Sequence, residues 1–310
     1  MAANGGDAST DASRQAAAAT TTAETNANCI AVEPFYWEIG DASGTLVSGS
    51  VGSAAPVAST VMSIASGSKW LFGGYAVQKM GGIPAAMYVP FLNFTSGYAG
   101  FTSNSCPPSG SIDDCLADAA GTPIAAAVGK FAYDGAHLQK LASLMGLGAD
   151  DNAALATEVK SQIGAEINIE YTQPQPAGGV KTSADNYALF LRKLLVGSAT
   201  PLLIGPILGS AAVCTNPTTC ATAVFSPIPS SASPTESWHY SLAHWIEDDP
   251  AVGDGAFSSA GAFGFYPWVD ATRTLYGVLA REAPFTGHNG YDSAVCGRLI
   301  RKAWVTSVAQ

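Results

Sequence analysis

Residues 63–82 read "SIASGSKWLFGGYAVQKMGG", and the fold turns on how this stretch is read. Trp70, Leu71, Tyr75 and Val77 supply apolar surface at helical spacing, and Gly81-Gly82 supplies a stop, so the pattern predicts a helix. The Gly73-Gly74 pair runs against it, because a glycine costs about 1 kcal/mol in a helix interior. A conformational or close-packing reason is expected to keep the pair there. Ser66 and Lys69 form S-x-x-K, which puts both side chains on one helical face. A serine at a helix start sits in the positive end of the helix dipole, which favours developing negative charge. A desolvated amine loses its proton more easily and can serve as a base. Ser66 as nucleophile and Lys69 as its base is therefore coherent chemistry, and neither Ser63 nor Ser68 has a lysine three residues on. Taken alone the motif is weak, since roughly one S-x-x-K is expected by chance in such a chain. The plain alternative is a solvated helix face.

Outward from this helix, "AVEPFYWEIGDASGTLVSGSVG" (31–52) holds two β-rich runs around an Asp/Gly turn and reads as a hairpin, with Phe35, Tyr36 and Trp37 in the core. Helices are expected over 133–146, 152–164 and 183–197, the last with Tyr187, Phe190, Leu191 and Leu194 on one face. Residues 101–115 and 215–237 read as loops. Strands are expected over 238–247, 262–270 and 273–282, and a closing helix over 293–308. This order lacks βαβα alternation and predicts an α+β fold, an antiparallel sheet backed by helices.

The chain has 310 residues, 47% hydrophobic and 12% charged, with a net charge of -10. That length can bury a large core. The acidic balance, with no basic cluster, argues against a nucleic-acid partner. No apolar run approaches the roughly 20 residues that span a bilayer. Residues 1–28, rich in Ala, Thr, Ser and Asn, lack the basic and apolar regions of an intact signal peptide and read as a flexible leader. Six cysteines leave many pairings open. The simplest is two local loops, Cys106 with Cys115 and Cys214 with Cys220, plus an end-to-end staple of Cys29 with Cys296. Such pairs point to an oxidising compartment, secreted or periplasmic, with buried free thiols the alternative. No CxxC occurs and the four histidines are scattered, so no metal site is expected, and no cofactor is implied. There is no G-x-S-x-G and no nucleotide-binding glycine motif.

Five segments carry a resemblance. The 63–82 stretch resembles the nucleophile helix of the serine β-lactamase and penicillin-binding-protein superfamily, in its class C and esterase branch. "YVPFLNFTSGY" (88–98) is similar to that family's LL-x-H-x-SGL segment. "FAYDGAHLQKLASLMG" (131–146) is similar to the stretch with its Tyr-x-Asn. "QPAGGVKTSADNYALFLRKLL" (175–195) resembles its AGG-x-x-S/T-x-x-D segment, and "FSSAGAFGFYPWVDATRTLYGVLARE" (257–282) its third-motif strand and the strand after it. The five occur in the family's order over about residues 34–304.

The resemblance implies a β-lactamase-like fold: an α/β part (29–83 and 201–310) against an all-helical part (84–200), as one catalytic domain over 29–310. It implies an acyl-enzyme mechanism with Ser66 as nucleophile, Lys69 as its partner and Tyr133 exchanging protons with them. Backbone N–H groups of Ser66 and Ala262 would form the oxyanion hole. Gly135, Ser259 and Gly261 fall at substrate-binding positions, and Trp238, Tyr240 and Trp245 are candidates to line an apolar substrate site or to be core. Two departures are informative. Tyr-x-Asn reads Tyr133-Asp134-Gly135, so the asparagine is missing. The third motif reads Ser259-Ala260-Gly261, with neither Lys nor His to pair with a substrate carboxylate. An unpaired carboxylate in a closed site is costly. Hydrolysis of carboxylic esters, small or polymeric, is therefore the expected activity. The alternatives are an amidase on linear amides or oligomers, a β-lactamase or D,D-peptidase, and, from another class, a non-catalytic binding domain. His288-Asn289-Gly290 looks superficially like a His-Thr-Gly motif but follows the last strand, and no role is expected of it.

Overall fold

The computed structural model describes residues 8–102, 106–228 and 236–310. The loop readings over 103–105 and 229–235 and the first seven residues of the expected leader lie outside these. Two helices open the described chain, α1 (Ala8–Thr25) and α2 (Ala27–Ile30), followed by the hairpin β1 (Phe35–Gly40) and β2 (Thr45–Val51). The short β3 (Met62–Ser63) leads through a 3₁₀ turn, Ala65–Gly67, into α3 (Ser68–Lys79). Then come α4 (Val89–Leu92), β4 (Phe131–Ala132), α5 (Ala136–Ala142), α6 (Asn152–Ile163), β5 (Glu170–Tyr171), β6 (Val180–Thr182) and α7 (Ala184–Arg192). The last part holds β7 (Val213–Cys214), β8 (Ala223–Phe225), β9 (His239–Ser241), β10 (His244–Glu247), β11 (Ala256–Ser258), β12 (Tyr266–Val269), β13 (Tyr276–Ala280) and α8 (Asn289–Thr306).

Among the described residues the main sheet has eight strands in the order β2-β1-β13-β12-β11-β10-β9-β7, with every neighbouring pair antiparallel. Helices cover both faces. Trp268 lies under the Arg301 guanidinium of α8, while Tyr276, which pairs with the adjacent Val269, accepts hydrogen bonds from Arg192 of α7. Neighbouring strand residues point to opposite faces, so α7 and α8 sandwich the sheet. β3, β6 and β5 form a second, small antiparallel sheet. The span 84–200 is mainly helix and loop but is not purely helical: β4, β5 and β6 fall within it, and β4 pairs parallel with β8.

Four sequence expectations need correction or sharpening. Residues 8–25 of the expected flexible leader form α1, which packs along α8. Its buried Ala18, Ala19 and Ala23 let the two helices approach closely. Gln310 donates its N–H to Thr22 Oγ1 and accepts from Asn26 Nδ2, so the C-terminus closes over α1. Residues 238–247 form not one strand but the hairpin β9–β10, turned at Leu242 and Ala243 with φ of 43° and 66°. β11 is a further strand ahead of the expected 262–270 run. The Gly73-Gly74 pair has the packing reason that was expected. A Cβ on Gly73 would lie 2.8 Å from Leu242 O, and one on Gly74 2.7 Å from the Phe190 ring. The helix bearing Lys69 is thus pressed against both the β9–β10 turn and α7.

Disulfides join Cys29–Cys296, Cys106–Cys115 and Cys214–Cys220. The first fastens α2 to α8. No helix among the described residues is long and apolar enough to cross a membrane.

Candidate active site

Ser66 stands in the 3₁₀ turn between β3 and α3, and the chain reaches it under strain. Ala65 has φ of +43°, a region an L side chain rarely adopts. Three ties hold this turn. Ile64 donates its N–H to Val180 O at 3.1 Å. Ser68 donates its hydroxyl to Ala65 O at 2.6 Å and accepts from Val180 N at 3.1 Å. Ser259 donates its hydroxyl to the Ser66 main-chain carbonyl at 2.9 Å. Ser68 is therefore a structural serine that joins the helix start to β6.

The Lys69 ammonium nitrogen lies 2.8 Å from Ser66 Oγ and 2.8 Å from Ala177 O. Burial pushes the Lys69 amine down to about 7, with the Asp134 charge opposing. At neutral pH a substantial fraction is then a free base in contact with the serine. Tyr133 follows β4, and its ring lies 4.9 Å from Lys69 Nζ. Burial pushes its hydroxyl up to about 12, against the pull of hydrogen bonds with Ser66 and Trp245. The Trp245 ring stacks on Tyr133 at 5.1 Å and fixes its plane. Sequence reasoning thus named three groups that the fold brings together at one point.

The Asp134 carboxylate accepts from Ala136 N at 2.8 Å and Phe101 N at 3.2 Å, which ties the start of α5 to Phe101. Burial raises its pKa, opposed by those two bonds and by Lys69.

Ser66 belongs to the walls of two clefts. One, of about 340 Å³, is polar and includes Ser63, Lys69, Gly135, Thr172, Gln173, Gln175 and Ala177. The other, of about 300 Å³, is largely apolar and includes Tyr133, Phe225, Pro227, Ile228, Trp245, Phe285 and Tyr291. Gly261 and Ala262 border the apolar cleft beside Ser66.

Three expected substrate contacts are corrected. Ser259 is buried and spends its hydroxyl on the Ser66 carbonyl, so it positions the Ser66 backbone. Trp238 and Tyr240 are each 1% exposed and belong to the core. The Trp238 indole N–H donates to Glu236, and Tyr240 packs among Phe94, Phe131 and Trp245. Of the three aromatic candidates only Trp245 reaches the cleft.

The sequence also hid a wall. His288 and Gly290 border the apolar cleft, because Gly290 packs directly on the third-motif segment. A Cβ at Gly290 would lie 2.8 Å from Gly261 O. The His-x-Gly pattern was a faint signal, discounted for its place after the last strand. The His288 imidazole is committed to Asp292, 2.6 Å from its carboxylate. Two other histidines are neutral structural groups: burial pushes His137 down to about 4 and His244 down to about 3.

No family model and no curated protein matches the chain. Solved structures do. A β-lactamase/D-alanine carboxypeptidase from Yersinia pestis superposes with a TM-score of 0.64 at 13% identity, covering 95% of this chain and 99% of that one. EstCE1, a hydrolase with promiscuous acyltransferase activity, gives 0.60 at 12% identity, covering 94% and 99%. A β-lactamase from Mycobacterium bovis gives 0.58 at 16% identity, covering 87% and 95%. The chain therefore has the β-lactamase-like fold, matched over nearly its whole length.

Proposed function

We propose that this protein is a serine hydrolase that cleaves carboxylic esters through an acyl-enzyme on Ser66. The observation that carries the reading is a buried lysine amine 2.8 Å from a serine hydroxyl, where burial lowers its hold on the proton. Lys69 takes the Ser66 proton as Oγ bonds to the substrate carbonyl carbon. The oxygen that becomes negative is held by the N–H groups of Ser66 and Ala262, where one lost donor typically costs about 100- to 1000-fold. The C–O bond to the alcohol then breaks, and Tyr133 gives its proton to the departing alkoxide. In the second half, Tyr133 takes a proton from the attacking water. Lys69 returns its proton to Ser66 Oγ as the acid leaves, which restores every group.

The apolar cleft is what favours an ester over a β-lactam or a D,D-peptide. No Lys or Arg is among the described residues of its wall, and His288 there is already paired with Asp292. A substrate carboxylate would lie there uncompensated. The three disulfides support a secreted or periplasmic location.

The test is acid-quenched mass spectrometry with 4-nitrophenyl butyrate, alongside a chromogenic cephalosporin. A butyryl adduct on the Ser66 peptide, absent from Ser66→Ala, is the expected result. An adduct elsewhere, or a cephalosporin turned over faster than the ester, overturns the reading.

Gly261 gives a second check. A Cβ there would lie 2.2 Å from Ile64 O, so alanine forces apart the segments that carry Ser66 and Ala262. Gly261→Ala is expected to lower kcat by about 100-fold or more, as for a lost oxyanion donor. The accompanying loss of stability should be about 1–3 kcal/mol, the usual cost of overpacking. Steady-state kinetics and urea denaturation measure the two; an unchanged kcat would separate Ala262 from the oxyanion hole.

A further inference from the structure

The two clefts that meet at Ser66 differ in chemistry, and this difference orients a substrate. This orientation rests on the hydrolase reading above. A leaving alcohol must depart beside the group that protonates it. Lys69 is enclosed between Ser66 Oγ and Ala177 O, whereas Tyr133 forms part of the apolar cleft wall. The alcohol half therefore belongs in the apolar cleft and the acyl half in the polar one.

The polar cleft contains an unused carboxamide. The turn over 172–179 is fixed to the rest of the protein by amides that are already committed. Gln173 Nε2 donates to Cys106 O at 3.0 Å, and Gln139 Nε2 donates to Pro174 O at 2.8 Å. Ala177 of the same turn holds Lys69. Gln175, half-buried on the cleft wall, has no hydrogen-bond partner for its side chain among the described residues. A Cβ on Gly135 would lie 3.3 Å from Ala177 Cβ and 3.6 Å from Gln175 Nε2, so the carboxamide borders Gly135 at ordinary contact distance.

We propose that Gln175 binds the acyl half of the substrate, and that this half carries a hydrogen-bonding group of amide type, while the alcohol half is apolar. A carboxamide offers one acceptor and two donors, which matches both faces of an amide. A site built to hydrogen-bond a substrate group discriminates against an analogue lacking it, because the site's own polar group is then left unpaired.

The probes are 4-nitrophenyl esters of N-acetylglycine and 3-acetamidopropanoic acid, each against its unbranched alkyl counterpart, the pentanoate and the hexanoate. The readout is the ratio of kcat/KM within each pair. Wild type is expected to favour at least one amide-bearing acyl group, and Gln175→Met, equal in length but apolar, to lower that ratio by about 10- to 100-fold. Because it is a ratio, a general loss of folded enzyme cancels. A wild type with no preference in either pair, or a ratio that survives Gln175→Met, overturns the proposal.

Orientation is read from a second series, with one acyl group and methyl, butyl and phenethyl alcohols, followed by proton release. Phe285→Ala should narrow the spread among alcohols. If it instead re-ranks the acyl series, the orientation is reversed and the proposal fails. Ser66→Ala that still hydrolyses these esters would sink the hydrolase reading itself, a result distinct from any of these.

Discussion

Lys69→Met is expected to lower kcat/KM for 4-nitrophenyl butyrate by about 100- to 10,000-fold, the range for a lost general base. Methionine keeps an apolar stem as far as Cε and removes the amine. Wild-type activity should rise with pH through a limb near 7, where burial has placed the Lys69 amine, because only the neutral amine can accept the Ser66 proton. The variant should lack this limb. The same group acts on stability. Its folded pKa of about 7 is far below the 10.5 of the exposed amine. Between those values the unfolded chain binds the extra proton, so stability from this group rises with pH, by about 1.4 kcal/mol per unit. Below about pH 7 both states are protonated and the full cost of burying the charge is present. Lys69→Met removes that cost. Its stability relative to wild type should therefore be greatest at pH 6 and fall by a few kcal/mol by pH 9.5, measured by denaturant unfolding at each pH. An unchanged pH–rate limb in the variant would show that another group is the base. A stability difference independent of pH would show that Lys69 is not buried in its charged form.

The sequence made the centre of this site legible and its rim illegible, for physical reasons. Ser66 and Lys69 are three residues apart, and helical geometry alone puts them together. Tyr133 is far away in sequence and was reached only through the resemblance. Beyond Tyr133, Trp245 and the Gly261-Ala262 segment, the apolar cleft was out of reach by either route. Phe225 and Ile228 lie in a stretch read as loop, and Phe285 and His288 lie beyond the last strand. Nothing local tells such residues from surface loops. Trp238, Tyr240 and Trp245 share a hairpin, and sequence could not say which faced the cleft, because the turn at Leu242-Ala243 carries no Gly or Asn to announce it. The leader failed for a related reason. Alanine-rich segments have high helix propensity but no apolar stripe, and only distant partners, α8 foremost, turn Ala19 and Ala23 into buried contacts. What was legible was set by short-range geometry; what was missed was set by partners distant in the chain.

Arg301→Met should destabilise the protein by about 3–5 kcal/mol, as removing one partner of a buried ion pair does. Arg301 is 2% exposed on α8, and Glu247 at the end of β10 is fully buried. The guanidinium donates to Glu247 Oε2 at 3.1 Å, to Tyr266 Oη at 3.0 Å and to both Asp254 oxygens at 2.7 and 2.9 Å. Tyr266 in turn donates to Glu247 Oε1 at 2.7 Å, so one cation satisfies a closed ring of acceptors across β10, β12 and the turn before β11. Its presence is not itself evidence of net stabilisation, since well-packed apolar groups can replace such a cluster at little cost. The cost arises from breaking it by halves. With methionine at 301, Glu247 keeps a buried charge with the Tyr266 hydroxyl as its side-chain donor and Arg298 as a more distant cation. Removing the charge as well, in Arg301→Met/Glu247→Gln, should restore a large part of the loss. Urea denaturation of the single and double variants decides it: a single variant within about 1 kcal/mol of wild type, or a double variant no better than the single, would refute the account. The consequence reaches the candidate active site. β10 carries Trp245, which fixes the plane of Tyr133, and β11 leads into Ser259, which holds the Ser66 carbonyl. Slack in this cluster should therefore appear first as lost turnover on warming, below the temperature at which the chain unfolds.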